Sequence, residues 1–185
     1  MHKFRLRKWK FLTNVGVANN ARSLVFWNPS TINVDFIDFF AQLLYVSISS
    51  LVNQYSFVAT FVYGYNTIIA KRSIWEDFWK WYFTSPWIIL GDFKLLLSQD
   101  DKHNGETISS YEVLDFRDCC SNLRLTNLNF IGCHFTWINW KIYSKIDRVL
   151  VNPYWSTLQK IAHIHFSTPG AFSDHSPASV YIGSR

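Results

Sequence analysis

The sequence predicts a mixed α/β domain in which β-strands build the core and two amphipathic helices pack outside it. Three observations predict it. Strand-sized apolar runs recur along the chain, punctuated by Asn, Ser, Gly and Pro. Only two segments, residues 70–83 and 111–123, carry apolar side chains at helical spacing. Hydrophobic residues make up 49% of 185, enough for one sizeable core, and no linker or repeat divides residues 1–185.

The elements follow in order. Residues 23–27 read as a strand before the Asn28-Pro29 break; 31–34, 42–48 and 55–63 follow at a spacing that suits antiparallel pairing. Residues 70–83 change period. Ile74, Phe78 and Trp81 share a helical face, Glu76, Asp77 and Lys80 lie away from it, and Ser85-Pro86 ends the helix. Residues 87–90 form an apolar run bounded by Pro86 and Gly91, a buried strand that delivers Asp92 at its tip. Residues 98–110 are polar, with Asn104-Gly105 a strong turn signal. The second helix, 111–123, turns Val113 or Leu114, Phe116 or Cys120, and Leu123 inward. Residues 135–138, 146–151, 161–166 and 178–182 read as strands, with a short helix at 153–158.

Composition narrows the function classes. The formal net charge is +5, and its excess lies at the start: residues 1–34 hold Lys3, Arg5, Arg7, Lys8, Lys10 and Arg22 and no acid. Such a segment suits a nucleic acid or an anionic surface, or is a solvated end. No window approaches the roughly 20 apolar residues of a membrane helix, and no secretory h-region is present, so a nuclear or cytoplasmic protein, not a secreted one, is expected. Three cysteines, two of them adjacent (Cys119 and Cys120), exclude a simple disulfide framework. Without a C-x-x-C pair, a structural zinc site is not expected, and the Cys119–Cys120 pair is read as structural.

Four segments place polar groups beside strands: Gly91-Asp92-Phe93-Lys94, Thr136-Trp137-Ile138-Asn139, Lys145-Ile146-Asp147-Arg148-Val149 and Ser173-Asp174-His175-Ser176-Pro177. Singly, each has a plain structural reading; Asp92 could be a turn residue, and Asp147 could pair with Lys145 or Arg148. In this order they resemble the endonuclease/exonuclease/phosphatase superfamily. Thr60-Phe61-Val62-Tyr63-Gly64, Trp75-Glu76-Asp77, Asp115-Phe116-Arg117-Asp118-Cys119-Cys120 and Arg148-Val149-Leu150-Val151-Asn152 narrow the resemblance to the endonuclease domain of plant LINE-type (non-LTR) retrotransposons.

The resemblance implies a DNase I-like four-layer α/β sandwich that hydrolyses a DNA phosphodiester with Mg²⁺. It assigns Asp92 to activating water, Asp174 to the metal, His175 to the phosphate, Asp147 to orienting His175, and Tyr63 to a phosphate contact. Thr136 and Trp137 support the site floor, with Asn139 a polar group beside them. Two departures stand against activity. Lys94 replaces the family's Asn, and is expected to share a cleft with Asp92 and depress its pKa. The family's first strands, with an Asn and a metal-ligating Glu, have no counterpart before Asp35: Asn14, Asn19 and Asn20 do not match them, and an N-terminally truncated domain with weak or absent Mg²⁺ binding is expected. The alternatives are a non-catalytic remnant with weak nucleic-acid affinity and a phosphomonoesterase-type member.

Overall fold

The computed structural model describes residues 8–16, 23–106, 108, 110–170 and 173–184. Of the residues singled out above, Lys3, Arg5, Arg7, Asn19, Asn20 and Arg22 lie outside the described residues. The described chain opens with an antiparallel ribbon of β1 (Lys10–Thr13) and β2 (Leu24–Trp27). Asn14 fastens this ribbon: its buried amide donates to the Phe40 carbonyl at 3.1 Å and its oxygen accepts from the Ser23 N–H at 2.9 Å.

An antiparallel meander of β3 (Ile32–Phe39), β4 (Leu43–Ser50) and β5 (Ser56–Tyr63) follows, as the spacing predicts. β3 runs on past residue 34, because residues 35–39 keep pairing with β4 around an irregularity between Phe36 and Asp38. Helix α1 (Ile68–Lys80) then crosses over, and β6 (Trp87–Asp92) returns parallel to β5. Thr67 caps α1 by accepting the Ala70 N–H at 3.4 Å.

α1 ends well before Ser85-Pro86. Trp81 leaves the helix at φ −102°, and its ring lies with Phe83 (centroids 6.0 Å apart) beside Tyr45 at 5.8 and 6.2 Å. Aromatic burial against β4 outweighs another helical turn.

The rest of the chain supplies β7 (Lys102–His103), α2 (Ser110–Asn122), β8 (Thr126–Asn127), β9 (Phe130–Gly132), β10 (Trp137–Asn139), β11 (Ile142–Ser144), β12 (Asp147–Val151), β13 (Lys160–Phe166) and β14 (Ala178–Ser184). A 3-10 turn, Pro153–Leu158, stands where a short helix is predicted. The large sheet has the order β3-β4-β5-β6-β12-β8, the second sheet β14-β13-β9, and a small sheet β10-β11-β7.

Strand alternation splits the core in two. Leu43, Tyr45, Trp87, Ile89 and Leu150 face the helices, where they meet Ile74, Phe78 and Phe116. Leu44, Val46, Ile88, Val149 and Val151 face the second sheet, where they meet Ile164 and Phe166. This pairing of two packed sheets with helices outside is the DNase I-like α/β sandwich that the resemblance implies.

On α2, Val113, Phe116 and Cys119 are buried while Leu114 is exposed. Cys119 is therefore the inward thiol, and burial pushes both Cys119 and Cys120 up to about 12, so they stay protonated small hydrophobes. A buried ion pair braces the loop after β6. Arg148 donates to Asp101, whose Oδ2 also accepts the Leu97 and Ser98 N–H groups at 2.7 and 3.1 Å. Arg148 thus pairs with Asp101, which leaves Asp147 to another partner.

Candidate active site

Three neighbouring strands end at one level. Tyr63 on β5 lies opposite Asp92 on β6, and Asp92 lies opposite Asp147 on β12. The apolar run of residues 87–90 buries β6, so the carboxylate at its tip is buried too, at 8% exposure. Gly91 makes this level possible. It sits at φ +141°, so close to β5 that a Cβ there would lie 2.0 Å from the Val62 carbonyl oxygen. Beyond the tip, the Gly64 N–H donates to the Asp92 carbonyl at 2.7 Å, and Phe93 N–H donates to the Ile146 carbonyl at 3.0 Å.

The fourth wall comes from the segment that enters β14. Ile138 N–H donates to the Asp174 carbonyl at 3.0 Å, and Ser176 N–H donates to the Thr136 carbonyl at 2.7 Å, so residues 174–176 pair with the β10 region. Buried Thr136 also accepts the Ile146 and Asp147 N–H groups on its Oγ1, at 3.1 and 2.9 Å. Thr136 thereby sets the start of β12 with its hydroxyl and the seat of His175 with its backbone carbonyl. The Trp137 indole donates to Asp174 Oδ2 at 2.9 Å, and His175 Nδ1 lies 2.9 Å from Asp147 Oδ2. The structure therefore brings Tyr63, Asp92, Trp137, Asp147, Asp174 and His175 together, with Thr136 beneath them.

Lys94 reaches the same cleft by a different route. Residues two apart on an extended strand would share a face, but Lys94 turns at φ +50°. Its N–H donates to Asp92 Oδ1 at 2.9 Å, while its ammonium swings away to the Tyr63 hydroxyl at 3.3 Å and Asn66 Oδ1 at 2.9 Å. Asn66 is the lining residue that sequence reasoning missed. Its position three residues after the strand-end Tyr63 was the available signal. Asn139, by contrast, is exposed on β10 and does not line the cleft of about 610 Å³ that Tyr63, Asn66, Asp92, Lys94, Trp137, Asp174 and His175 enclose.

Burial governs the charge on Asp92. Desolvation first, then the neighbouring Asp147, raises its pKa to about 6, against smaller lowering effects from His175 and Lys94. Lys94 lowers the Asp92 pKa as expected, through its N–H and its charge, but desolvation and Asp147 outweigh it. His175 moves up as well, chiefly through its hydrogen bond to Asp147, against desolvation. The pair of shifts places a buried carboxylate that titrates at about 6 beside an imidazole whose charged form Asp147 favours.

The Mg²⁺ that the resemblance implies is tested against these side chains. Among the described residues, no group of three or more His, Cys, Asp or Glu is placed to hold a metal ion. One Asp174 oxygen accepts the Trp137 indole N–H, and the Lys94 ammonium stands in the same cleft. A hard divalent cation wants several oxygens and is repelled by a nearby ammonium. Among the described residues, these side chains do not present a ready-made ligand set for a resident divalent ion.

No family model and no curated protein matches the chain. Solved structures do. The endonuclease domain of TRAS1, a telomere-specific non-LTR retrotransposon, superposes with a TM-score of 0.74 and 11% identity over 96% of this chain and 79% of that one. An AP endonuclease from Leishmania major gives 0.65 at 11% identity, over 96% and 71% of the two chains. A mannosyl-6-phosphatase from Bacteroides thetaiotaomicron gives 0.58 at 12%, over 95% and 77%. At these identities the likeness establishes the fold that endonuclease/exonuclease/phosphatase structures share.

Proposed function

We infer that this chain, built on the endonuclease/exonuclease/phosphatase fold, is a retrotransposon-endonuclease-type domain that binds a DNA phosphodiester and hydrolyses it poorly. One observation carries the reading. Asp92, the Asp147–His175 pair and the Asp174–Trp137 pair meet at one end of the sandwich. In this reading Asp92 accepts the proton of the attacking water. Near pH 7 a carboxyl with a pKa of about 6 is largely ionised and still basic enough to serve. Asp147 orients His175 through Nδ1, leaving Nε2 to face a phosphoryl oxygen and meet its developing charge. Tyr63 lies on the rim.

The same side chains support the reading of poor turnover. Among the described residues that line the cleft, His175 and Lys94 are the cationic groups that would meet charge on the phosphoryl group, and positioning and charge neutralisation act as one unit in such reactions. A supercoiled-plasmid assay in Mg²⁺ tests this. The protein is expected to retard plasmid in a gel and to nick it slowly, at a rate that His175→Ala lowers to background. Rapid nicking that His175→Ala abolishes would make it a fully active endonuclease, and slow nicking unchanged in His175→Ala would take catalysis away from this cleft. Failure to retain DNA at all would remove DNA as its partner.

A further inference from the structure

We propose that Lys94, Asn66 and Tyr63 form a phosphate seat that holds a phosphoryl oxyanion without any divalent cation. The proposal rests on the cleft being the phosphodiester site inferred above. It departs from the family pattern at the position where Lys94 looks like a defect.

The backbone is the first support. Lys94 is a non-glycine residue at φ +50°, a left-handed conformation that is strained for an L side chain. The strain lies at the cleft, directly after Phe93, whose fully buried ring anchors the chain. Its consequence is direction: an extended Lys94 would share a face with Asp92, whereas the left-handed turn carries the ammonium across to Tyr63 and Asn66.

The partners are the second support. The ammonium lies 2.9 Å from Asn66 Oδ1, 3.3 Å from the Tyr63 hydroxyl and 4.3 Å from the Tyr63 ring centroid. All of these are neutral, and Lys94 is in none of the ion pairs among the described residues. The charge is held in place but not cancelled. Of the neighbouring carboxylates, Asp147 is paired with His175, while Asp174 accepts the Trp137 indole N–H and Asp92 the Lys94 N–H, contacts that fix these two without neutralising them. His175 lines the same cleft. A phosphate lodged there would meet one ammonium and one imidazole, with Asn66 and Tyr63 fixing the ammonium. A seat of this kind does electrostatically what a metal would do for binding, but it is a point charge and brings no bound water to the reaction.

The test titrates inorganic phosphate into ¹⁵N-labelled protein in EDTA, following the Lys94 amide and the His175 ring by NMR. Saturable shifts are expected without metal. Lys94→Asn keeps a residue type that tolerates the left-handed backbone, and is expected to raise the half-saturating phosphate concentration about tenfold, or about 1.4 kcal/mol. Lys94→Arg is expected to stay close to wild type. Thermal melts of each variant confirm the fold. Unchanged binding in Lys94→Asn would overturn the seat. So would binding by wild type only when Mg²⁺ is added, and in that case the reading of the cleft as a phosphate site would stand. No binding with or without Mg²⁺ would overturn both.

Discussion

Gly91→Ala is expected to cost on the order of 3–5 kcal/mol, a large share of the roughly 5–15 kcal/mol that stabilises an ordinary domain. The new methyl would sit 2.0 Å from the Val62 carbonyl oxygen and 2.9 Å from two further Val62 backbone atoms. None of these is the end of a flexible side chain. Relief requires β5 and β6 to separate, and these are central strands of the large sheet. The left-handed φ of +141° adds strain that any L side chain would feel. Because Tyr63 and Asp92 are the next residues in the same parallel register, any shift that spares the fold would also pull these cleft walls away from each other. Gly183→Ala is the control. It has open space around the added methyl and is expected to change stability by less than about 0.5 kcal/mol. Urea denaturation of the two variants checks the pair, and a Gly91→Ala midpoint matching wild type would contradict the close-approach argument.

Asp92→Asn is expected to stabilise the protein at pH 8. The carboxyl titrates at about 6 in the fold against an ordinary 3.8, so between those values the folded state holds a proton that the unfolded chain has lost. Stability therefore falls as pH rises through that window, and above it the buried charge costs on the order of 2–3 kcal/mol. Asn retains an oxygen for the Lys94 N–H and removes the charge. At about 2–4 °C per kcal/mol, Tm should rise by several degrees at pH 8, and the gain should shrink toward zero near pH 4. The raised pKa of His175 acts in the same direction on wild type: its contribution is present at low pH and lost as pH rises through its folded value. Melting curves across this range decide the matter. A variant less stable than wild type at pH 8 would show that Asp92 is held by charge pairing and not penalised by burial. The cost falls on the proposed proton acceptor, as expected where a site trades stability for chemistry.

Much of this was legible in the sequence, for identifiable reasons. The run of residues 87–90 between Pro86 and Gly91 could only be a short buried strand, so Asp92 had to stand at its tip. The order of the four motifs carried the pairing of Asp147 with His175. Strands β8, β9 and β11 were not legible. They span two or three residues and exist because distant segments pair with them, which no local period records. The end of α1 is misleading in the sequence because Trp81 fits the helical face but packs better against Tyr45 and Phe83. Lys94 belongs to the expected cleft but takes another orientation, since its positive φ leaves no mark in the residue type. Its lowering effect on Asp92 is outweighed because desolvation depends on burial at 8% exposure, which emerges only from the packed sheet.

The central claim is that this cleft is where DNA phosphate binds. It is tested most directly by chemical-shift mapping of ¹⁵N-labelled protein with a short DNA duplex. The expected result is that the largest changes cluster at Tyr63, Asn66, Asp92, Lys94, the Trp137 indole, Asp174 and His175. Changes confined to the ribbon around Lys8 and Lys10, or to the outer face of α2, with the cleft silent, would contradict it.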